Sequence, residues 1–370
     1  VHLTYLSTDS LGEGVGFSQV FAYVTRMASR GVEVSLHSFE KEEPSDAMKR
    51  AVAAAGVEWH IHPFGRFGAI PGLLRVLRGA LYVRGAALVH ARSDMAAAAV
   101  LLARRHPWVW DCRSLYVDQK IELEELKKGS SSEAILRRIE AAAAKRCSAI
   151  VTLTEAVVPV LVDRFGPEVA GKVTVIPTCA DLELFTPAGM PAPSPLRLML
   201  AGTVNRYYDV PLMISLVEAA RGRMATHFSV LTPTIDRPDL RSVADEITSV
   251  AARDVPTAIS GVHAGLSVCR DNAGISLTAS MPTKIGEFLA VGRPLVVNPG
   301  LGDAGRLLVQ ERCGVAVTST TIDDCLDELQ ALVTDPETPG RCRLLAQRRF
   351  NVDDAVTKLV GIYEGLATND

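Results

Sequence analysis

The 370-residue chain has no C-x-x-C pair, and its seven cysteines, at 112, 147, 179, 269, 313, 325 and 342, are odd in number. That pattern suggests neither a disulfide framework nor a zinc knuckle, and a reducing, cytoplasmic compartment fits it best. There is no Asp-x-Asp and no His/Cys cluster with ligand spacing, so no metal is expected. No uninterrupted apolar run reaches the ~18 residues that a membrane-spanning helix requires, and the N-terminus lacks a basic-then-apolar leader pattern. Charge bias is missing too. With 39 basic and 42 acidic residues the formal net charge is −3. The basic residues are scattered rather than striped, and nothing in their distribution favours nucleic acid.

What the chain does have is apolar content, 48 % of its residues, ample for packing. Its length exceeds one typical core, so two domains are expected. His2 to Ser7 reads as a first strand, and Gly12, Gly14 and Gly16 mark a turn into a helix whose apolar positions are Val20, Phe21, Val24, Met27 and Ala28. Gly31 ends that helix before a strand at 32–37, a βαβ opening. The spacing Gly12-x-Gly14-x-Gly16 is not the dinucleotide fingerprint G-x-G-x-x-G, which weakens an oxidoreductase reading. Apolar runs at 57–61, 87–90 and 108–110 alternate with helical stretches at 68–85 and 94–105 and predict a parallel sheet flanked by helices, with ligands bound at the carboxyl ends of its strands. Residues 134–147 read as a helix, and Thr154 as the N-cap of the next one. The basic and apolar stretch 65–78 is either a core helix with arginines at its solvent edge or a segment that touches anionic lipid.

The prolines at 187, 191, 193 and 195 mark a linker. Beyond it the layout repeats, with strands at 196–201 and 227–231 and, later, at 265–268, 295–297 and 314–317. The domains are therefore 1–178 and 196–350, joined by 179–195. Within the second, the stretch Pro282-Thr283-Lys284-Ile285-Gly286-Glu287-Phe288-Leu289 has apolar residues at helical spacing, a proline at its start and a Gly292 to Pro294 stop. A helix amino end there presents unpaired N–H groups and a partial positive charge beside Lys284, an anion site. Glu287 is placed to accept hydrogen bonds from hydroxyls such as a ribose. Gly286, costly in a helix interior, implies a close approach to the backbone. An ordinary capped helix with a solvated Lys and Glu is the other reading.

Pro-Thr-Lys-Ile-Gly-Glu-Phe-Leu-Ala-x-Gly-x-Pro-Leu-Val, at 282–296, resembles the donor-site segment of family 4 glycosyltransferases. Residues 173–187 resemble that family's strand and exit segment, with Thr178-Cys179-Ala180 in place of Asn-Gly-Val. The resemblance implies an α/β fold of the GT-B type, with two Rossmann-like domains, parallel sheets facing a central cleft, and a last helix, 351–367, that crosses back to the first domain. It implies a hexosyltransferase-type enzyme that uses a nucleotide-diphosphate sugar with retention of configuration, without metal or other cofactor. The donor diphosphate falls to Arg206, Lys284 and the amides of residues 283 and 284, with Gly14, Gly16, Gly202, Met281, Pro282 and Thr283 beside the donor, Glu287 on the ribose, and Val255 at a base-binding turn. Arg206 is equally open to stacking on Tyr207 or Tyr208. Residues 111–118 resemble an acidic-x-Arg-Asp-Leu-Trp-x-acidic segment on the acceptor side, with Ser114 and Tyr116 as departures. His90, Asp111 and Arg113 are the acceptor-side candidates, although a histidine simply hydrogen-bonded at a strand end is the stronger reading of His90. Ala279 stands where the family commonly has a first glutamate. The acceptor implied is a saccharide, a lipid-linked saccharide or a small molecule; the chain itself is expected in the cytoplasm, either free or in weak peripheral contact with the inner face of a membrane through the 65–78 stretch. Open alternatives are a catalytically silent nucleotide-sugar binding protein and a relative acting as an epimerase or coupling cyclitols.

Overall fold

The computed structural model describes residues 1–12, 14–66, 68–233, 237–270 and 274–368. Glu13 of the glycine turn, Phe67 of the basic and apolar stretch, Thr234 and residues 271–273 lie outside the described residues. The chain forms two compact units, one of Val1–Pro177 with Val352–Asp370 and the other of Thr178–Asn351.

In the first unit, β1 (His2–Ser7), β2 (Glu33–Glu40), β3 (Glu58–Pro63), β4 (Leu88–Arg92), β5 (Trp108–Cys112), β6 (Ala149–Thr152) and β7 (Val173–Val175) form one sheet. Its order is β3-β2-β1-β4-β5-β6-β7, and every pair is parallel. β4, β5 and β6 are buried along their whole length, as strands covered on both faces must be, which is why they read as apolar runs rather than alternations. The second unit repeats the plan with β8 (Leu196–Ala201), β9 (Thr226–Leu231), β10 (Glu246–Thr248), β11 (Ala264–Ser267), β12 (Leu295–Val297) and β13 (Gly314–Ala316), in the order β10-β9-β8-β11-β12-β13 and again parallel throughout. Leu198, Leu200, Val210, Met213, Phe228 and Leu266 belong to its core.

Both sheets reverse their winding beside their first strand, between β1 and β4 in one unit and between β8 and β11 in the other. At such a point the loops leaving the two strands diverge to opposite faces, and the crevice between them is where open α/β sheets bind ligands.

The last helix, Val352–Ala367, buries Val352, Ala355, Val356, Leu359 and Tyr363, a single stripe at helical spacing, within the first unit. Arg30 ties it there by donating to the Asp353 carbonyl and to Thr357. In the second unit two arginines hold the segment 182–189. Buried Arg293 donates to the carbonyls of Ala188, Gly189 and Ser260, and Arg343 to those of Leu182, Phe185 and Ala290.

Two local expectations fail for identifiable reasons. Thr154 does not cap a helix; the helix is Val158–Phe165, with a proline in its first turn. A start at Thr154 would have carried Pro159 into the helix interior, where its missing N–H and its ring disrupt the ladder. The first helical stretch contains a π turn, Phe17–Phe21, before the regular helix Ala22–Ser29, and apolar spacing gives no signal for the extra residue.

Gly16 explains part of the glycine turn. A Cβ on it would lie 1.7 Å from the Ser10 carbonyl oxygen, whereas one on Gly12 would meet nothing within 4 Å. Gly16→Ala is expected to destabilise the protein by about 2–4 kcal/mol in chemical denaturation, and Gly12→Ala to stay within about 0.5 kcal/mol of the parent.

Candidate functional site in each unit

In the second unit the site is built on the helix Thr283–Val291. It starts after Pro282, whose φ of −58° and ψ of 134° make it the cap rather than a residue of the first turn, and it ends at Gly292, with φ +89°. Ile285, Phe288 and Leu289 are fully buried and fix which way the helix faces. Gly286 is required by packing: a Cβ there would meet the Phe350 Cβ at 3.2 Å and the backbone of Thr178 and Ala180 at 3.5 Å. The close approach read from the sequence is therefore made by the chain itself. The Thr178 hydroxyl donates to the Met281 carbonyl at 2.7 Å, which holds the turn leading into the helix.

Lys284, in the first turn, is buried with 4 % of its surface exposed, and among the described residues no acceptor lies within hydrogen-bonding distance of its Nζ. The ammonium stands over the Tyr208 ring, 4.1 Å from the centroid, an attraction worth roughly 0.5–2 kcal/mol. Gly202, the residue after β8, adopts φ +95°, and a Cβ on it would lie 3.8 Å from the lysine Cε and 3.9 Å from its Nζ. A side chain at 202 would crowd the ammonium and strain the backbone. The Thr283 and Lys284 amides, as first residues of a helix, have no intrahelical acceptor. Glu287, one turn later and partly buried, has its carboxyl pushed up to about 7 by burial, against the opposing charge of Lys284.

The other second-unit candidates stand around this group in different ways. Arg206 is exposed on the loop after β8, and among the described residues no carboxylate pairs with it. The tyrosine faces are not held for it: Lys284 stands over Tyr208, and the buried Tyr207 hydroxyl bonds Ser276 at 3.0 Å. Val255 opens a short helix, Val255–Ser260, rather than lying in a turn, and its N–H already donates to the Ala252 carbonyl. Ala279 is buried at the end of the 3₁₀ turn Gly274–Ala279.

In the first unit the carboxyl ends of β1, β4 and β5 bring together a buried polar network. The Asp111 carboxylate accepts from His90 Nε2 at 3.3 Å, Arg92 at 3.2 Å and Arg113 at 3.4 Å. Burial opposes its ionisation, but the Arg113 charge, the His90 hydrogen bond and Arg92 hold the carboxyl well below the usual range. Burial in turn lowers His90, which stays neutral despite Asp111. An ionised carboxylate only accepts, so His90 carries its proton on Nε2, and Nδ1 accepts from the Tyr363 hydroxyl at 2.8 Å. The His90 ring stacks on Tyr5 at 4.3 Å. Arg92 also donates to Asp9 at 2.7 Å, and Arg113 to Gln19 at 3.3 Å.

His90, Asp111 and Arg113 thus do come together, with His90 buried and hydrogen-bonded through both ring nitrogens. Asp9, Gln19, Arg92 and Tyr363 complete the group and are not among the sequence candidates; the β1–β4 adjacency brings Asp9 to Arg92, and the packing of the last helix on this unit brings Tyr363 to His90, neither visible in the chain order. Gly14, exposed at φ +40°, and Gly16, packed on Ser10, open the helix after β1. The backbone N–H of Leu11 in that turn donates to both oxygens of Glu40. Among the described residues no group of three or more His, Cys, Asp or Glu side chains is arranged to hold a metal ion.

The model of Glycosyltransferase Family 4 matches residues 18–184. The whole chain has the fold of GT-B glycosyltransferases. HepE of Anabaena, solved with UDP and glucose, is 14 % identical with a TM-score of 0.71, the match covering 99 % of this chain and 100 % of that one. Sucrose-phosphate synthase of Thermosynechococcus elongatus is 14 % identical over 100 % of both chains, with a TM-score of 0.71. WaaG, a glycosyltransferase involved in lipopolysaccharide biosynthesis, is 13 % identical with a TM-score of 0.65, covering 97 % of this chain and 99 % of its own. A comparison with curated protein sequences finds no match. At such identities these likenesses are of fold.

Tyr363→Phe leaves His90 Nδ1 buried without a donor. It is expected to destabilise the protein by about 1–3 kcal/mol in denaturant melts, and a melt matching the parent's would disprove the assigned tautomer.

Proposed function

We propose that the chain transfers a glycosyl group from a nucleoside-diphosphate sugar to an acceptor hydroxyl, with the diphosphate on the amino end of the 283–291 helix. The observation that carries this reading is the Lys284 ammonium, buried without a hydrogen-bond acceptor and roofed by a glycine. A buried cation of that kind is unfavourable until an anion arrives. A diphosphate supplies the missing acceptors, the Thr283 and Lys284 amides add two donors, and exposed Arg206 is available to close on the outer oxygens.

As the bond from the sugar to the diphosphate breaks, negative charge grows on the departing oxygen. Lys284 and the helix end meet it there with positive charge that needs no reorganisation. We propose on this ground that transfer proceeds without a metal ion, and with retention as in the family the chain resembles. Glu287 as a carboxylate accepts from the ribose hydroxyls, and Val255 lies near the base. UDP and UDP-glucose, which HepE binds in its crystal structures, are the first donors to test. The buried Ala279, where a first carboxylate is expected, favours one second reading, a protein that binds the donor without turning it over.

The experiment is to follow nucleoside diphosphate release from a panel of nucleotide sugars, with and without acceptors and EDTA. Acceptor-dependent release unaffected by EDTA supports transfer, while binding without release supports the silent reading. Lys284→Met is expected to weaken donor binding by about 10- to 100-fold, the worth of a charge-assisted contact, without lowering the melting temperature, since it removes an uncompensated buried charge. Unchanged affinity in that variant would sink the phosphate site. Because the Glu287 carboxyl ionises at about 7, donor affinity is expected to rise as pH rises from 6 to 8 and to lose that rise in Glu287→Gln, as measured by calorimetry.

A further inference from the structure

The helix Ala69–Tyr82 is amphipathic in the unexpected sense. Its inward side is made of small or β-branched residues: Gly72, Gly79 and Val83 are buried, and a Cβ on Gly79 would meet Ala99 at 3.1 Å and Leu6 at 3.3 Å. Its large residues point out. Ile70, Leu73, Leu74, Leu77 and Leu81 are 43 to 75 % exposed, and at 100° per residue they fall within an arc of roughly 100° opposite the glycines. The helix is firmly seated, since Tyr82 at its end stacks on His62 at 3.9 Å, and Arg75 near its start donates to the Phe64 carbonyl at 2.8 Å and covers that ring. The exposed leucines are therefore a fixed feature of the folded surface, and they form a contiguous ridge of the kind that marks an interaction site.

Charge says what the ridge meets. Residues 59–93 include five arginines and no Asp or Glu. Arg66, Arg78 and Arg84 are exposed, and among the described residues no carboxylate pairs with them. A second copy of the same face would set arginine against arginine with no acid in the stretch to receive them. A lipid surface of negative charge offers both an apolar interior and a sheet of phosphates.

We propose that the 69–82 helix lies on an anionic bilayer, its leucines entering the headgroup boundary and Arg66, Arg78 and Arg84 engaging lipid phosphates. The inference goes beyond sugar transfer and does not depend on it. It makes this unit a peripheral membrane module whatever its donor.

The test is flotation of the full chain with phosphatidylcholine vesicles, with or without phosphatidylglycerol. The expected result is partition onto the anionic vesicles at least tenfold above that onto neutral ones and decreasing with salt. The doubles Leu73→Gln/Leu77→Gln and Arg78→Glu/Arg84→Glu should each lower it by roughly tenfold or more, with melting temperature and nucleotide-sugar binding unchanged. Equal partition onto both vesicles, none onto either, or variants that float like the parent would overturn the proposal. A dimer in sedimentation equilibrium that the leucine double dissociates, without flotation of the parent, would overturn it in favour of a self-association face.

Discussion

An ammonium group kept out of water without a counter-charge in contact is the constraint around which the second unit is arranged. Ionised groups are not buried freely, because the loss of hydration costs several kcal/mol in a real protein. Lys284 is tolerated here by partial compensations: the face of Tyr208, the charge of Glu287 a turn away, and the rigidity of a helix locked by Phe288 and Leu289. None of these supplies an oxygen to the Nζ. The tension is displayed from both sides, since the same burial that strains the lysine pushes its glutamate neighbour towards neutrality. An arrangement that stores cost at one point, with a glycine opening the space above it, is one whose stability improves when an anion binds.

The two units make the same topological choice and put it to different electrostatic use. In each, the winding reverses beside the first strand, and the diverging loops carry the polar residues. Glycine serves both, though not as a direct ligand contact everywhere. Gly16 and Gly286 are needed because the chain's own backbone passes within a few ångströms, whereas Gly202 is needed at the site, for its φ of +95° and for its nearness to Lys284. Packing glycines and site glycines look identical in sequence, and only the identity of the nearest atom separates them.

This distinction also measures what the sequence made legible. The parallel βα plan, the repeat of that plan, and the helix at 283–291 with its stop at Gly292 were all readable, because apolar runs and helix punctuation are local signals. Thr154 is not the cap, and the signal against it lies in the sequence, since a proline five positions on decides where that helix begins. The π turn at Phe17–Phe21 left no periodic trace. Harder to read were partnerships across the sheet. Tyr208 was weighed as a platform for the adjacent Arg206, and the cation above it comes instead from residue 284. Tyr363, near the end of the chain, completes a hydrogen-bond line through His90 to Asp111. Such pairs are set by how distant helices and loops pack on the sheet, which no window of sequence contains.

The contrast between the two polar groups bears on what each can do. In the first unit two carboxylates, Asp9 and Asp111, face two guanidinium groups, Arg92 and Arg113, with His90 neutral between them, so the formal charges cancel. A network balanced in this way resists rearrangement and has little field left for a visiting anion. An anion binding there would have to draw Arg113 from Asp111 and Gln19, contacts of 3.4 and 3.3 Å. The second unit holds the opposite state, with a cation and two helix amides left open and a carboxyl poised between charged and neutral forms near pH 7. The first is built to hold shape, and the second to gain from a negatively charged ligand.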